Sequence, residues 1–359
     1  MPETRHRRVA IVSTPRTGNT WLRHLIQRIW ALEARAVHRL DDADWQSLPA
    51  ECVLQIHHRR TPDFERRLAR EGFQVMALAR HPLDVLISIL HVAVHGVESE
   101  QWLDGAGGDD RCLWGAMPTS TAFAEYVAGP RAAELLAVTG DWYGKPGVVS
   151  LRYEDLAADP AATLATLVPV LGAPTGDPFE QAIRETSIAS LRKLTGNHAH
   201  FWQGRAGQWR ELLPVDTVAK LVTSIQPAMD MGGYSADGDE GLTASAADAR
   251  WVAIAGTELH AAIARTTSLH QAQIDEMQAL LEQSHRAMLD WEAKYTAIDA
   301  ARQRAEASCD QAHATLQGRI AEFEAAHFRL GLIDGCGSKA LWAARRLQAL
   351  FDTFKRRRS

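Results

Sequence analysis

The chain has 359 residues, 46% of them apolar, and its 39 Lys and Arg against 44 Asp and Glu leave a net charge of −5. That apolar share excludes a disordered chain and supports one large or two moderate domains, and the acidic balance excludes a surface built throughout for nucleic acid. Cys52, Cys112, Cys309 and Cys336 show no pairing rhythm and no C-x-x-C, so neither a disulfide framework nor a zinc site is expected, and a reducing cytoplasm fits the composition.

The first apolar run, Val9 to Ser13, reads as a strand; it is too short for a signal peptide, and no stretch of the chain approaches the roughly 20 apolar residues of a membrane span. It runs into Thr14-Pro15-Arg16-Thr17-Gly18-Asn19-Thr20 and then a helix expected over Trp21 to Leu32. A small, hydroxyl-rich turn at a helix start is an anion cradle, because unpartnered N–H groups and the helix dipole both favour negative charge there, and Arg16 adds a full positive charge. The G-x-x-x-x-G-K-[ST] spacing is absent and no Lys precedes Thr20, which disfavours ordinary ATP chemistry.

Further strands are expected at Cys52 to Ile56, Phe73 to Ala79 and Val148 to Leu151, ending at His57-His58, Arg80-His81 and Tyr153-Glu154-Asp155. Helices fill the gaps: one opened by Pro82, one over Ala122 to Thr139 and one over Pro160 to Leu171. Strands alternating with helices predict an α/β fold with a parallel sheet, and ligands of such sheets bind beyond the strand carboxyl ends, so the four endings are expected to share one crevice. Residues His95 to Pro118 lack periodicity and carry Trp102 and Trp114; a loop of that length reads as a lid or an acceptor-binding loop.

Small and acidic residues from Ser235 to Asp239 mark the end of a first domain at residue 235 and a linker over 236–250. A helical segment is expected over 251–330, where Ile274, Met277, Leu281, Ser284, Met288, Trp291, Tyr295, Ile298, Arg302, Ala305, Cys309, Ala312 and Leu316 follow the alternating 3-4 spacing of a coiled coil, which offers a route to homo-oligomers. The tail over 331–359 puts Leu341, Ala344, Leu347, Leu350, Phe351 and Phe354 on one helical face, ringed by Lys339, Arg345, Arg346 and Lys355 to Arg358. Such a basic amphipathic helix suits either peripheral contact with an anionic membrane or packing on the coiled coil.

Arg80 at a strand end and Ser88 inside the next helix can grip a second phosphate, so the ligand is expected to carry two separated anionic groups. With these residues in view, the chain resembles the sulfotransferases that use 3'-phosphoadenosine 5'-phosphosulfate (PAPS). Pro15 to Trp21 resembles their 5'-phosphosulfate loop P-K-[ST]-G-[TS]-T-W with Arg for Lys, and Arg80 to Ser88 matches their 3'-phosphate motif R-[NH]-P-x-D-x-x-x-S at every defined position. Leu151 to Leu156 resembles their Y-E-D-[LM] segment. Phe201 to Arg210 resembles their late loop R-K-G-x-x-G-[DQ]-W-[KR], with Trp202-Gln203 replacing the Arg-Lys pair.

The resemblance covers about the first 235 residues. It implies a P-loop-like sulfotransferase fold, a central parallel sheet flanked by helices and here followed by a long C-terminal helix, with PAPS as co-substrate and no metal. It assigns cofactor contacts to Arg16, Thr17, Gly18, Asn19, Thr20, Trp21, Arg80, Ser88, Tyr153, Thr186, Gly204 and Arg205, with Gln203 in the loop and Trp202 as a cover for the adenine. His57 occupies the place of the family's base in a K-T-H setting, here Gln55-Ile56-His57, and Arg16 is expected to share in catalysis. An imidazole that titrates near working pH suits removal of a proton from an acceptor hydroxyl, on a glycan or a small alcohol. Two other readings stay open on the residues alone: a kinase-like phosphotransferase, and an interaction protein that binds the nucleotide but works through its coiled coil.

Overall fold

A computed structural model of the chain describes residues 7–94, 102–195, 201–330 and 335–356. The chain divides into two compact units, Met1–His270 and Gln271–Ser359. In the first, strands β1 (Arg7–Val12), β2 (Glu33–Ala36), β3 (Glu51–Ile56), β4 (Phe73–Ala79) and β5 (Val148–Arg152) form a fully parallel sheet in the order β2-β3-β1-β4-β5. The α/β expectation holds, with one strand more than expected.

Side chains alternate across the sheet, so each central strand feeds two cores. Val9, Ile11, Val53, Met76 and Leu78 face helix α1 (Asn19–Trp30), while Ala10, Val12, Leu54, Ile56, Val75 and Ala77 face α2 (Pro62–Arg70) and the later α5 (Pro130–Trp142). Between β4 and α5 lie α3 (Pro82–Val94), buried along its whole length, and α4 (Thr121–Ala128). After β5 comes α6 (Tyr153–Ala158).

Two helical expectations and one loop are corrected in detail. The single helix over Ala122 to Thr139 is two, because Gly129 closes α4 and Pro130, which has no N–H to give, starts α5 at its first turn. The helix over Pro160 to Leu171 likewise breaks into Pro160–Ala165 and Val168–Leu171. In the expected binding loop, residues 95–101 lie outside the described residues, and beyond them two short 3-10 turns carry Trp102 into the core and Trp114 against it. Those rings therefore serve packing rather than standing open to an acceptor.

The expected domain end at 235 and linker at 236–250 also look different in three dimensions. A helix begins at Ala244, and Leu242, Ala247, Trp251, Ala255 and Leu259 are all buried, the last three in the same cluster as α3 and α4. Gly256, with φ 56° and ψ −138°, interrupts that helix, which otherwise runs to Leu330. In the second unit the terminal helix Gly335–Arg356 includes the expected tail face; Ala344 is half-buried, Leu347 and Leu350 are exposed, and the side chains of Leu341, Phe351, Phe354 and Lys355 to Arg358 lie outside the described residues. Among the described residues no helix is long and apolar enough to cross a membrane.

Trp251 is fully buried sixteen residues beyond the expected boundary at 235. Trp251→Ala is therefore expected to destabilise the first unit by about 3–5 kcal/mol. Urea unfolding of the full chain reads this out, and a loss below about 1 kcal/mol would mean that the segment after 235 adds nothing to that core.

Candidate active site

The site follows from the strand order. Chain leaving β1 runs toward β2 and β3, whereas chain leaving β4 runs toward β5, so a crevice opens at the carboxyl ends of β1 and β4, where the connections diverge. The loop after β1 enters on one side and Arg80 on the other.

The loop is built from inside. The Ser13 hydroxyl accepts the Leu78 N–H (2.7 Å), and Thr14 donates through its own N–H to the Thr139 hydroxyl (2.9 Å) and through its hydroxyl to the Leu135 carbonyl (2.6 Å), which pins the loop to β4 and α5. The Thr17 hydroxyl and the Asn19 amide both donate to the Thr14 carbonyl, at 2.9 and 3.0 Å. Arg16 sits at φ 71° and Gly18 at φ 101°, both in the left-handed region, and α1 starts directly after, so the positive end of its dipole faces the turn. Gly18 has a second reason to be glycine: a Cβ there would lie 2.6 Å from the Tyr153 ring.

Tyr153 and Arg80 gather the other elements. The Arg80 guanidinium lies over the Tyr153 ring at 4.5 Å, donating from Nη1 to the Arg16 carbonyl (3.0 Å) and from Nη2 to the Arg205 carbonyl (3.1 Å). The Tyr153 hydroxyl donates to the Gly204 carbonyl at 2.7 Å, and burial pushes its pKa up. Arg16 Nε donates to the Ser88 hydroxyl at 3.0 Å, so the residues expected at the two anionic groups are in direct contact. Trp21 meets Tyr153 edge-on at 6.1 Å, and Thr20 donates to Gln55 Oε1 at 3.4 Å, tying α1 to β3 where the family carries a lysine.

His57 ends β3 on the face that carries α1. Its Nδ1 lies 2.7 Å from the Ser13 carbonyl, which can only accept, so Nδ1 carries the proton and Nε2 holds the lone pair. Burial first, and then the nearby charges of His38 and Arg16, lower its pKa to about 4 against the pull of the Ser13 bond. Arg16 is lowered to about 10 by burial and by Arg80, and stays cationic at neutral pH. His58 turns to the opposite side, its ring 4.7 Å from Phe64 of α2.

The late loop is less as expected. The Arg205 guanidinium is exposed and paired with Glu211 (2.7 Å) and Gln203 (3.2 Å); only its carbonyl enters the site. One face of the Trp202 indole is covered by His91 at 4.1 Å and its edge meets Trp251, so it is a wall of α3 rather than an open cover for an adenine. Gly204, at φ 63°, is wedged under Ile188, and beside it Thr186 is buried with its hydroxyl lacking a partner. The sequence reading gave no role to Asp84, which is fully buried on α3 and accepts the N–H groups of Gly207 (2.7 Å) and Trp209 (3.0 Å), anchoring the loop. Glu154 accepts the His81 N–H at 2.8 Å and the Tyr234 hydroxyl at 3.2 Å. Both carboxylates were defined positions of the matched motifs, and that was their signal.

Residues 6–233 match the family described as the sulfotransferase domain. No curated protein matches the chain in sequence. Among solved structures, mouse sulfotransferase SULT7A1 complexed with PAP is 15% identical, covering 64% of this chain and 90% of its own at a TM-score of 0.45. Retinol dehydratase in complex with androsterone and inactive cofactor PAP is 13% identical, covering 62% and 80% at 0.41. The sulfotransferase domain from the curacin biosynthetic pathway is 15% identical, covering 63% and 97% at 0.37.

The lowered pKa of His57 makes stability depend on pH. The folded state binds this proton only near pH 4, the unfolded state near 6.5, so stability is complete above 6.5 and is lost as pH falls through that window, by up to about 3 kcal/mol. In His57→Gln this contribution is expected to vanish. The difference between the two proteins' unfolding free energies should therefore slope between pH 6.5 and 4, and parallel curves would show that His57 is not buried as a neutral imidazole.

Proposed function

The chain belongs to the sulfotransferase domain family, and from that membership we propose that it moves a sulfuryl group from PAPS to the hydroxyl of an acceptor, a glycan or small alcohol, with His57 as the base. The observation that carries this reading is the contact of Arg16 with both Ser88 and Arg80 at the carboxyl ends of β1 and β4: two guanidinium groups and a hydroxyl in one buried crevice call for a ligand with more than one anionic group.

The residues fit such a ligand. Arg80 Nε, the Thr186 hydroxyl, Trp21 Nε1 and Gln208 Nε2 are all buried without a protein partner, and buried donors of this kind are normally satisfied. The loop from Arg16 to Thr20 would hold the phosphosulfate end, Arg80 and Ser88 the 3'-phosphate, and Trp21, Tyr153, Thr186 and Gly204 the nucleoside. Trp202, Gln203 and Arg205 would frame the loop above it. When bound, PAPS supplies a sulfuryl group carried on a phosphate leaving group.

The chain's own groups then divide the work. Arg16 and the positive end of α1 offset the charge that develops on the departing phosphate, and as fixed groups they need little reorganisation to do so. His57 is neutral at working pH and its tautomer is fixed by Ser13, so Nε2 is available to take the acceptor's proton as the new oxygen–sulfur bond forms. Asp84 and Glu154 keep the surrounding backbone in place without touching the reactants.

Purified chain mixed with PAPS and a library of glycans and alcohols is expected to release adenosine 3',5'-bisphosphate, with the sulfated product found by mass spectrometry. Failure of every acceptor, together with no rise in melting temperature on adding the bisphosphate, would sink the reading; a rise with ATP-Mg alone would favour a phosphotransferase. His57→Ala should lower kcat about 10²–10⁴-fold while keeping the thermal shift, whereas Arg80→Ala should lose the shift. A variant at His57 with full turnover would remove it as the base.

A further inference from the structure

The coiled-coil seam of the second unit is covered over one part only. The terminal helix Gly335–Arg356 lies back along the long helix: Arg345 pairs with Glu324 at 2.6 Å and Asp352 with His313 at 3.6 Å, so rising numbers on one helix meet falling numbers on the other. On the long helix Glu306, Cys309, His313, Leu316, Ile320 and Glu324 are accordingly half-buried, at spacings of three and four. With that register Arg356 reaches the level of about residue 309. It stops roughly 16 Å short of Ile298 at 1.5 Å per residue.

Beyond that reach the seam continues uncovered. Leu281, Trp291, Tyr295 and Ile298 are 73%, 72%, 73% and 67% exposed, and Ile274, Met277 and Met288 are exposed with them. Ile274, Leu281, Met288 and Tyr295 fall at one heptad position and Met277, Ser284, Trp291 and Ile298 at the other, without a break. An apolar face of this period, sustained over three and a half heptads, is the signature of a partner helix with the same period.

We propose that residues 274–298 pair with the same residues of a second copy of this chain, in parallel and in register, while the terminal helix closes the lower part of the seam within each chain. Three observations select this partner. The terminal helix is too short to cover the face itself. In a parallel pair Lys294 of one copy stands at the flanking position opposite Asp299 of the other, a complementary contact made twice by symmetry, and no like charges meet at the flanking positions of this stretch. The next core position is Arg302, where two guanidinium groups would face each other, so the parallel seam ends after Ile298, before the level near residue 309 at which the intrachain hairpin begins.

Sedimentation equilibrium of the full chain is expected to give twice its mass of 39.6 kDa, and the double variant Met288→Glu, Tyr295→Glu a single mass. Both positions are exposed in the single chain, so the variant should keep the first unit's unfolding transition. A full chain of single mass, or a double variant that stays paired, overturns the proposal. Ser284→Cys tests the alignment: mild oxidation should give a reducible crosslinked pair beyond any formed by the parent chain, and its absence overturns the parallel register.

Discussion

The site depends on a buried cation that is held without a carboxylate. Arg80 is 9% exposed, and among the described residues no acidic side chain pairs with it. Stripping a guanidinium of water is costly unless its donors are met, and here two carbonyls meet Nη1 and Nη2 and an aromatic face lies against the group, while Nε has no protein partner. Those partners come from three distant segments: the loop after β1, the late loop and the start of α6. Satisfying Arg80 therefore fixes the positions of all three, and the absent side chain of Gly18 is what lets Tyr153 come close enough to take part.

The same economy leaves the site electrostatically loaded. Burial and then the nearby charge of Arg80 lower the pKa of Arg16, burial disfavours charge on His57, and several buried donors have no protein partner. Such a crevice is a poor packing arrangement for a protein alone and a good one for a polyanion, which would relieve repulsion and satisfy donors together. Burial keeps the His57 imidazole neutral, and the nearby charges of His38 and Arg16 add to that effect.

What the sequence disclosed follows from where its signals are strong. β1, β3 and β4 stood out because strands buried on both faces are apolar runs, and β5, though an edge strand, keeps Val148, Val149 and Leu151, while β2, Glu33–Ala36, stayed hidden because an edge strand with a mostly exposed face needs no such run. The turn after β1 and the position of Arg80 were legible because each is local to a strand end. The contacts of Arg205 and Trp202 were not legible, for the opposite reason. Whether a guanidinium grips a ligand or a glutamate, and whether an indole stands open or stacks on His91, is decided by residues far away in sequence. Trp102 and Trp114 belong with these, since a ring in an aperiodic segment does not reveal what it packs against.

Arg16 in place of the family's lysine has a structural meaning that charge alone does not give. An ammonium presents its three donors from a single nitrogen, so a protein partner and a ligand must gather around one point. A guanidinium can spend Nε on the Ser88 hydroxyl and still direct its fork elsewhere, coupling α3 to the loop while keeping its charge in the crevice. The left-handed backbone at Arg16, uncommon for a residue with a Cβ, is held by the same arrangement, because the Arg16 carbonyl is the one that receives Arg80. One residue thus joins the loop after β1 to α3 through its side chain and to Arg80 through its backbone at once, so the loop keeps its shape without the glycine-rich, lysine-anchored turn found at ordinary nucleotide sites.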